Sequence, residues 1–360
     1  MKSSIEIGKI IGIPIKLHIT LLLVLPFFAY IFSVNEQFGF GGVPSQSLQY
    51  GLSITATLFL FLSILLHELA HSSVAIHYGS KVDSITLFLF GGVSSMGEMP
   101  RNPVFEFKMT IVGPLTSLAL GIVFLGIDKI LGIFGNNVYY FFGILGIINV
   151  VLFVFNMIPA FPMDGGRVLR AWLAGRMSYI EATRKAVSIG QILAIGMGIL
   201  GLLVINPWLI LIAFFVYIGA AEEGKSTEMS VTLEGIKISD LMSDEVISVP
   251  PSLNLNELVD VMFERKHMGY PVVENGNLLG IVTFTDVSHV PSQKRGGVVV
   301  EEVMTKNIIS LHPDDPAEKA LKLLFTHNIG RLPVLSGERL AGIVSRTDLI
   351  RSIQIFGGKL

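Results

Sequence analysis

LFLFLSILLHELAHSSVAIHYG, residues 58 to 79, decides how the rest of the chain is read. His67-Glu68-Leu69-Ala70-His71 sits inside a run too apolar for a water-exposed helix. On an α-helix two residues four apart differ by about 40° around the axis, so His67 and His71 project from one face and their imidazoles can meet one ion. Glu68 lies beside them, placed to act as a general base on water. This is the H-E-x-x-H pattern of zinc sites. For an isolated match the alternative is a buried histidine pair without metal. In a membrane-type helix that alternative weakens, because an acidic side chain at mid-bilayer costs on the order of 2 to 3 kcal/mol and such residues are usually kept for a function.

Of the 360 residues 51% are hydrophobic and only 15% charged, and the mean hydropathy of +0.66 belongs to a membrane protein. The apolar runs are confined to residues 1 to 222; from about 236 onward the composition is that of a soluble domain. With no cysteine, disulfides are excluded and a metal site must be built from His and carboxylate. The formal net charge of −2 gives no sign of nucleic-acid binding. The N-terminal MKSSIEIGKIIGIPIKLHIT lacks the apolar core and small-residue cleavage site of a signal peptide and is expected to be retained.

Spans are expected at about 17–34, with Pro26 a kink, then 49–78, 107–127, 138–158, 187–205 and 208–222. GKIIGIPIKLH before the first span reads as an interfacial strand or hairpin. Residues 81–107 are too punctuated by Gly91, Gly92, Gly97, Pro100 and Pro103 for a helix, and alternation at Val82, Ile85, Leu87 and Leu89 suits strands. Open strand edges are not tolerated in lipid, so this hairpin must lie at the interface or line a cavity in the protein. Residues 161–186 are expected to be a basic loop, and Asp128 to lie in a loop on the opposite face. Six spans put both termini on one side, and Lys2, Lys9, Lys16 and the basic loop make that side cytoplasmic by the positive-inside rule.

The fourth span ends in NMIPAFPMDGG, residues 156–166. Pro159 and Pro162 unwind the helix, which leaves Asp164 on a bent segment at the depth of the histidines. A catalytic zinc takes three protein ligands, and Asp164 is the best-placed third; a helix cap for RVLRAWLAG is its other reading. At these residues the chain resembles the site-2 protease family of intramembrane zinc metalloproteases. HELAH, NMIPAFPMDGG, Gly113-Pro114 and the GIPIKLH and FGGVSSM segments match in order across most of residues 8–222. The resemblance implies one zinc on His67, His71 and Asp164, with Glu68 as base. It also implies that Asn156, Pro159 and the hairpin glycines Gly91 and Gly92 position substrate. Unlike many bacterial members, the chain carries no PDZ-like insert.

The soluble half is an internal repeat: residue n pairs with n + 62 without a gap, so that Met242, Pro251, Pro271, Gly280 and Asp286 meet Met304, Pro313, Pro333, Gly342 and Asp348. Each copy ends in Gly-Ile-Val-[Thr or Ser]-x-Thr-Asp. These segments resemble the tandem cystathionine-β-synthase (CBS) domain pair, which implies two α/β repeats about a pseudo-twofold axis and adenine nucleotides in the clefts. Thr283, Asp286, Ser345 and Asp348 are the positions carried over, with N-caps as the other reading of the two aspartates. His18, His77, His267, His289, His312 and His327 have no ligand spacing to one another and read as structural or solvated.

The expected architecture is thus a multi-pass α-helical membrane domain of about six spans with an interfacial β-hairpin, followed by an α/β tandem CBS module. The expected boundaries are 1–222 for the membrane domain, 223–235 for a linker, and 236–297 and 298–360 for the two repeats. The expected function is cleavage of membrane-spanning proteins under the control of ATP, ADP or AMP, with the lipid bilayer as surroundings and pairing of two chains through the CBS module. The alternative is a CBS-regulated transporter or channel, which would explain the spans but not the convergence of His67, Glu68, His71 and Asp164.

Overall fold

Ile11 and Gly12 both take positive φ, 51° and 78°, a turn that folds the first residues back on themselves as a hairpin of β1 (Ser4–Ile10) and β2 (Ile13–His18). The second hairpin is β3 (Val82–Phe88) and β4 (Gly91–Met96). Residues 15–17 of β2 pair parallel with residues 85–87 of β3, so the two hairpins form one sheet in the order β1-β2-β3-β4. The computed structural model describes residues 4–88, 91–96, 101–133 and 140–357; Leu89, Gly97 and Pro100 of the expected hairpin lie outside them. Two compact units are present, Met1–Lys225 and Ser226–Leu360.

In the first unit, α1 (Leu21–Val34) leads to α2 (Gln46–His77), which carries the two histidines. After the sheet come α3 (Pro103–Ile133), α4 (Phe141–Asn156), α5 (Asp164–Ala174), α6 (Tyr179–Leu203) and α7 (Pro207–Thr232). Among the described residues α2, α3, α6 and α7 are long and apolar enough to cross a membrane, while α1 and α4 are shorter apolar helices. The sheet closes on one side of α2 through Ile13, Ile15, Ile85, Leu65 and Leu69. Phe32, Phe40, Leu60, Phe141 and Leu145 pack α1 and α4 around its N-terminal half.

Three expectations are corrected. The segment 161–186 is not a loop, because α5 fills its first half and Ser178 and Glu181 close a capping box that starts α6 at Tyr179. Asp128 lies within α3, where its Oδ1 accepts from the Gly143 N–H at 3.0 Å. The expected 223–235 linker is largely helical, since nothing between Glu222 and Thr232 breaks α7 before Gly235, at φ 77°.

The second unit holds α8 (Leu255–Arg265), β5 (Gly269–Glu274), β6 (Asn277–Thr283), α9 (Phe284–Ser288), α10 (Val300–Val303), α11 (Ala317–Thr326), β7 (Arg331–Ser336), β8 (Arg339–Ser345) and α12 (Arg346–Gly357). Its sheet runs β5-β6-β8-β7. The repeats exchange their leading segments: Ile238 packs with Leu311, Val334 and Val344, while Val300 packs with Val249, Val272 and Val282. Reciprocally, the Met242 sulfur lies against Gly342 and the Met304 sulfur against Gly280. Every one of these pairs is related by 62 positions, so the sequence repeat is a spatial twofold.

Candidate metal centre

His67 and His71 are each only 7% exposed, one turn apart on the buried face of α2. α3 fixes both rings from behind. The Met109 carbonyl accepts from His71 Nδ1 at 2.7 Å, and Ser117 Oγ lies 3.0 Å from His67 Nδ1. A carbonyl only accepts, so His71 Nδ1 carries the proton and the neutral ring turns a lone pair outward at Nε2. Between those two contacts sits Gly113. A Cβ there would overlap the His71 ring and stand 2.8 Å from His67 Nε2, so both imidazoles lie directly on the α3 backbone.

The third donor comes from the first turn of α5. Met163 is the residue before the helix, and Asp164 is already helical. Asp164 therefore does not cap α5; its Oδ2 reaches His67 Nε2 at 3.1 Å and His71 Nε2 at 3.2 Å. Gly165 permits this, since a side chain there would run into the Ile158 carbonyl in the preceding turn. The two Nε2 atoms are 3.1 Å apart. Three ligand atoms at 3.1 to 3.2 Å approximate one face of a tetrahedron whose edges, for bonds near 2.0 to 2.1 Å, are about 3.3 Å. The His71 lone pair faces a carboxylate oxygen, an arrangement that a cation satisfies. Among the described residues His67, His71 and Asp164 are the cluster of this kind, and the residues fit zinc.

Glu68 is half-buried and faces β4. Ser94 Oγ donates to its Oε2 at 2.8 Å, and Ser72 Oγ donates to Ser94 Oγ at 3.2 Å. A Cβ on Gly92 would overlap Glu68 Cγ, so the strand backbone approaches the carboxylate as closely as it does because that position is glycine. A cavity of about 920 Å³ opens onto His67, Glu68, His71 and Asp164. Its walls are Phe28, Phe61, Phe155 and other apolar side chains, together with Asn156, Gly91 and Gly92. Asn156 donates through Nδ2 to the Leu152 carbonyl at 3.0 Å, and Pro159 is exposed and does not line the cavity. Sequence reasoning missed Met109, Ser117, Ser72 and Ser94. A backbone carbonyl has no sequence signature, and serine is too common in apolar helices to mark itself.

In the second unit Thr283 and Ser345 precede α9 and α12. Each donates its hydroxyl and its backbone N–H to one carboxylate oxygen three residues on, Thr283 to Asp286 at 2.7 and 2.8 Å and Ser345 to Asp348 at 2.6 and 2.8 Å. The aspartates are therefore not N-caps but the return half of capping boxes. Ser345 and Asp348 line a cleft of about 190 Å³ that Thr283 and Asp286 do not line.

The model of Peptidase family M50 matches residues 55–132 and 127–197, and that of the CBS domain matches 238–292 and 300–355. A zinc metalloprotease of Methanocaldococcus jannaschii is 38% identical over 355 residues, 99% of this chain and 97% of its own. The solved site-2 protease from the same organism is 38% identical with a TM-score of 0.43, covering 61% of this chain and 95% of that one. A crystal structure of CBSX2 in complex with AMP is 27% identical with a TM-score of 0.32, covering 34% of this chain and 98% of that one. The chain belongs to Peptidase family M50: it is a membrane-embedded zinc metalloprotease with a tandem pair of CBS domains.

Proposed function

We propose that this protease holds one zinc ion per chain on His67, His71 and Asp164, uses Glu68 as its general base, and cleaves membrane-spanning proteins within or near the bilayer. The observation that carries the reading is the convergence of two Nε2 atoms and Asp164 Oδ2 within hydrogen-bonding distance of one another, with the His71 tautomer set by the Met109 carbonyl. Zinc, when bound, supplies Lewis acidity toward a carbonyl oxygen and water. Glu68 takes the proton of the attacking water and returns it to the leaving amine. Ser94 holds Glu68 Oε2 and so orients the carboxylate for both transfers. Phe28, Phe61 and Phe155 in the cavity wall lower the local polarity around these groups, which strengthens each of these interactions.

A substrate helix hides its carbonyls in hydrogen bonds and must unwind to be cut. Among the described residues β4 is an edge of its sheet, paired only with β3, and Gly91, Gly92 and Ser94 face the cavity. Strand addition on β4 would hold the unwound segment extended across Glu68. Asn156, which lines the same cavity, would contact the same segment. The CBS pair would bind an adenine nucleotide and alter cleavage through α7, with both termini cytoplasmic.

Glu68→Gln tests the chemistry. The variant is expected to keep its zinc while cleavage of a co-expressed membrane substrate falls by 10²-fold or more, because general-base catalysis contributes roughly 10² to 10⁴. Cleavage near the wild-type rate would remove Glu68 from that role.

A further inference from the structure

We infer that the two clefts of the CBS pair are chemically unlike and that one of them, the cleft holding His267 and Arg331, takes the single phosphorylated adenosine ligand of each chain. The inference rests on the nucleotide reading above. The cleft is lined by Ser243, Glu245 and Ile247 from one leading segment, by His267 and Tyr270 at β5, and by Arg331, Ser345 and Asp348 from the second repeat. Arg331 Nη1 donates across the twofold to the Gly269 carbonyl at 3.2 Å, and Nη2 lies 3.5 Å from His267 Nδ1. These contacts point the guanidinium toward the first repeat and leave N–H groups of its fork available to an anion.

The 62-residue register shows what the related cleft has instead. Arg331 corresponds to Gly269, His267 to Ile329, Tyr270 to Leu332 and Glu245 to Asn307. Ser345 and Asp348 correspond to Thr283 and Asp286, whose capping boxes have nearly the same geometry. The groups suited to a ribose hydroxyl are thus present twice. The guanidinium and imidazole suited to a phosphate are present once, because Arg331 is committed to the side of His267. A phosphate is also bound better by a bidentate guanidinium than by the dipole of a short helix such as α9. Sequence reading treated His267 as structural or solvated because its partner lies 64 positions away.

Titration calorimetry on the full-length protein in detergent, with AMP, ADP, ATP, adenosine and S-adenosylmethionine as separate probes, tests this. The expected result is one equivalent per chain for a phosphorylated probe and at least tenfold weaker binding of adenosine and of S-adenosylmethionine. Arg331→Gln should weaken the phosphorylated probe tenfold or more without changing adenosine, and Arg331→Lys should recover part of the loss. His267→Ile, which copies the other cleft, should weaken it in the same direction. A melting curve equal to wild type shows that each variant is folded. Two equivalents of equal affinity, adenosine binding as tightly as AMP, or an unaltered Arg331→Gln would overturn the inference while leaving nucleotide binding standing. Binding of none of the five probes to wild type would overturn both.

Discussion

At the scale of single residues the proposed metal centre depends on what is missing as much as on what is present. His67 and His71 can approach each other and Asp164 because Gly113 has no side chain between them and α3. Gly113→Ala is therefore expected to push one or both rings aside and weaken zinc about 10- to 100-fold, the range seen when groups that orient a ligand are changed. Gly126→Ala, elsewhere on the same helix and facing open space, should leave zinc affinity unchanged. Competition against a chromophoric chelator measures both. The pair of histidines and the glutamate were legible in the sequence because helical spacing alone brings residues 67 and 71 to one face. The orienting contacts were not, since Met109 acts through its carbonyl and Ser117 lies 50 positions from its partner.

Among the elements, α5 is where sequence and structure part most. Its Arg170 counted as one more charge of a basic cytoplasmic loop, yet it is 5% exposed and joins three helices. Its Nε donates to Glu106 of α3 at 2.8 Å, its Nη1 to Glu223 of α7 at 3.1 Å, and its guanidinium lies 5.0 Å from the rings of both Phe161 and Tyr179. Those partners are 53 and 64 positions away, so no local pattern announces them. Because α5 also begins with Asp164, the Arg170 cluster fixes the helix that carries the proposed third ligand. Removing one side of a buried ion pair leaves the others uncompensated, and Arg170→Ala is expected to cost about 3 to 5 kcal/mol. Thermal unfolding in detergent should show a clear drop in midpoint, with a smaller one for Glu223→Gln, which keeps a hydrogen-bond acceptor. The β2 to β3 pairing was equally hidden, because a parallel contact between residues 15–17 and 85–87 depends on how α1 and α2 return the chain to the sheet.

For the molecule as a whole, the division into an apolar half and a 62-residue repeat was readable from composition and register, whereas the exchange of leading segments between repeats, Ile238 into one core and Val300 into the other, was not. A repeat locates equivalent positions without saying which copy they pack against. The helix α7 runs without a break from Pro207 to Thr232, past the boundary between the two units at Lys225. Under the proposed nucleotide control, a ligand that favours one arrangement of the CBS pair would act on the protease through this helix, which Arg170 also grips. Typical couplings of about 5- to 150-fold set the expected change in cleavage on adding nucleotide, measured with wild type and Arg331→Gln side by side. All of this stands on the zinc site. The most direct measurement of it is zinc per chain, by elemental analysis at limiting metal, in wild type, Asp164→Asn and Asp128→Asn. The account predicts one zinc in wild type and in Asp128→Asn, whose side chain accepts from Gly143, and a large loss in Asp164→Asn; equal zinc in all three would contradict it.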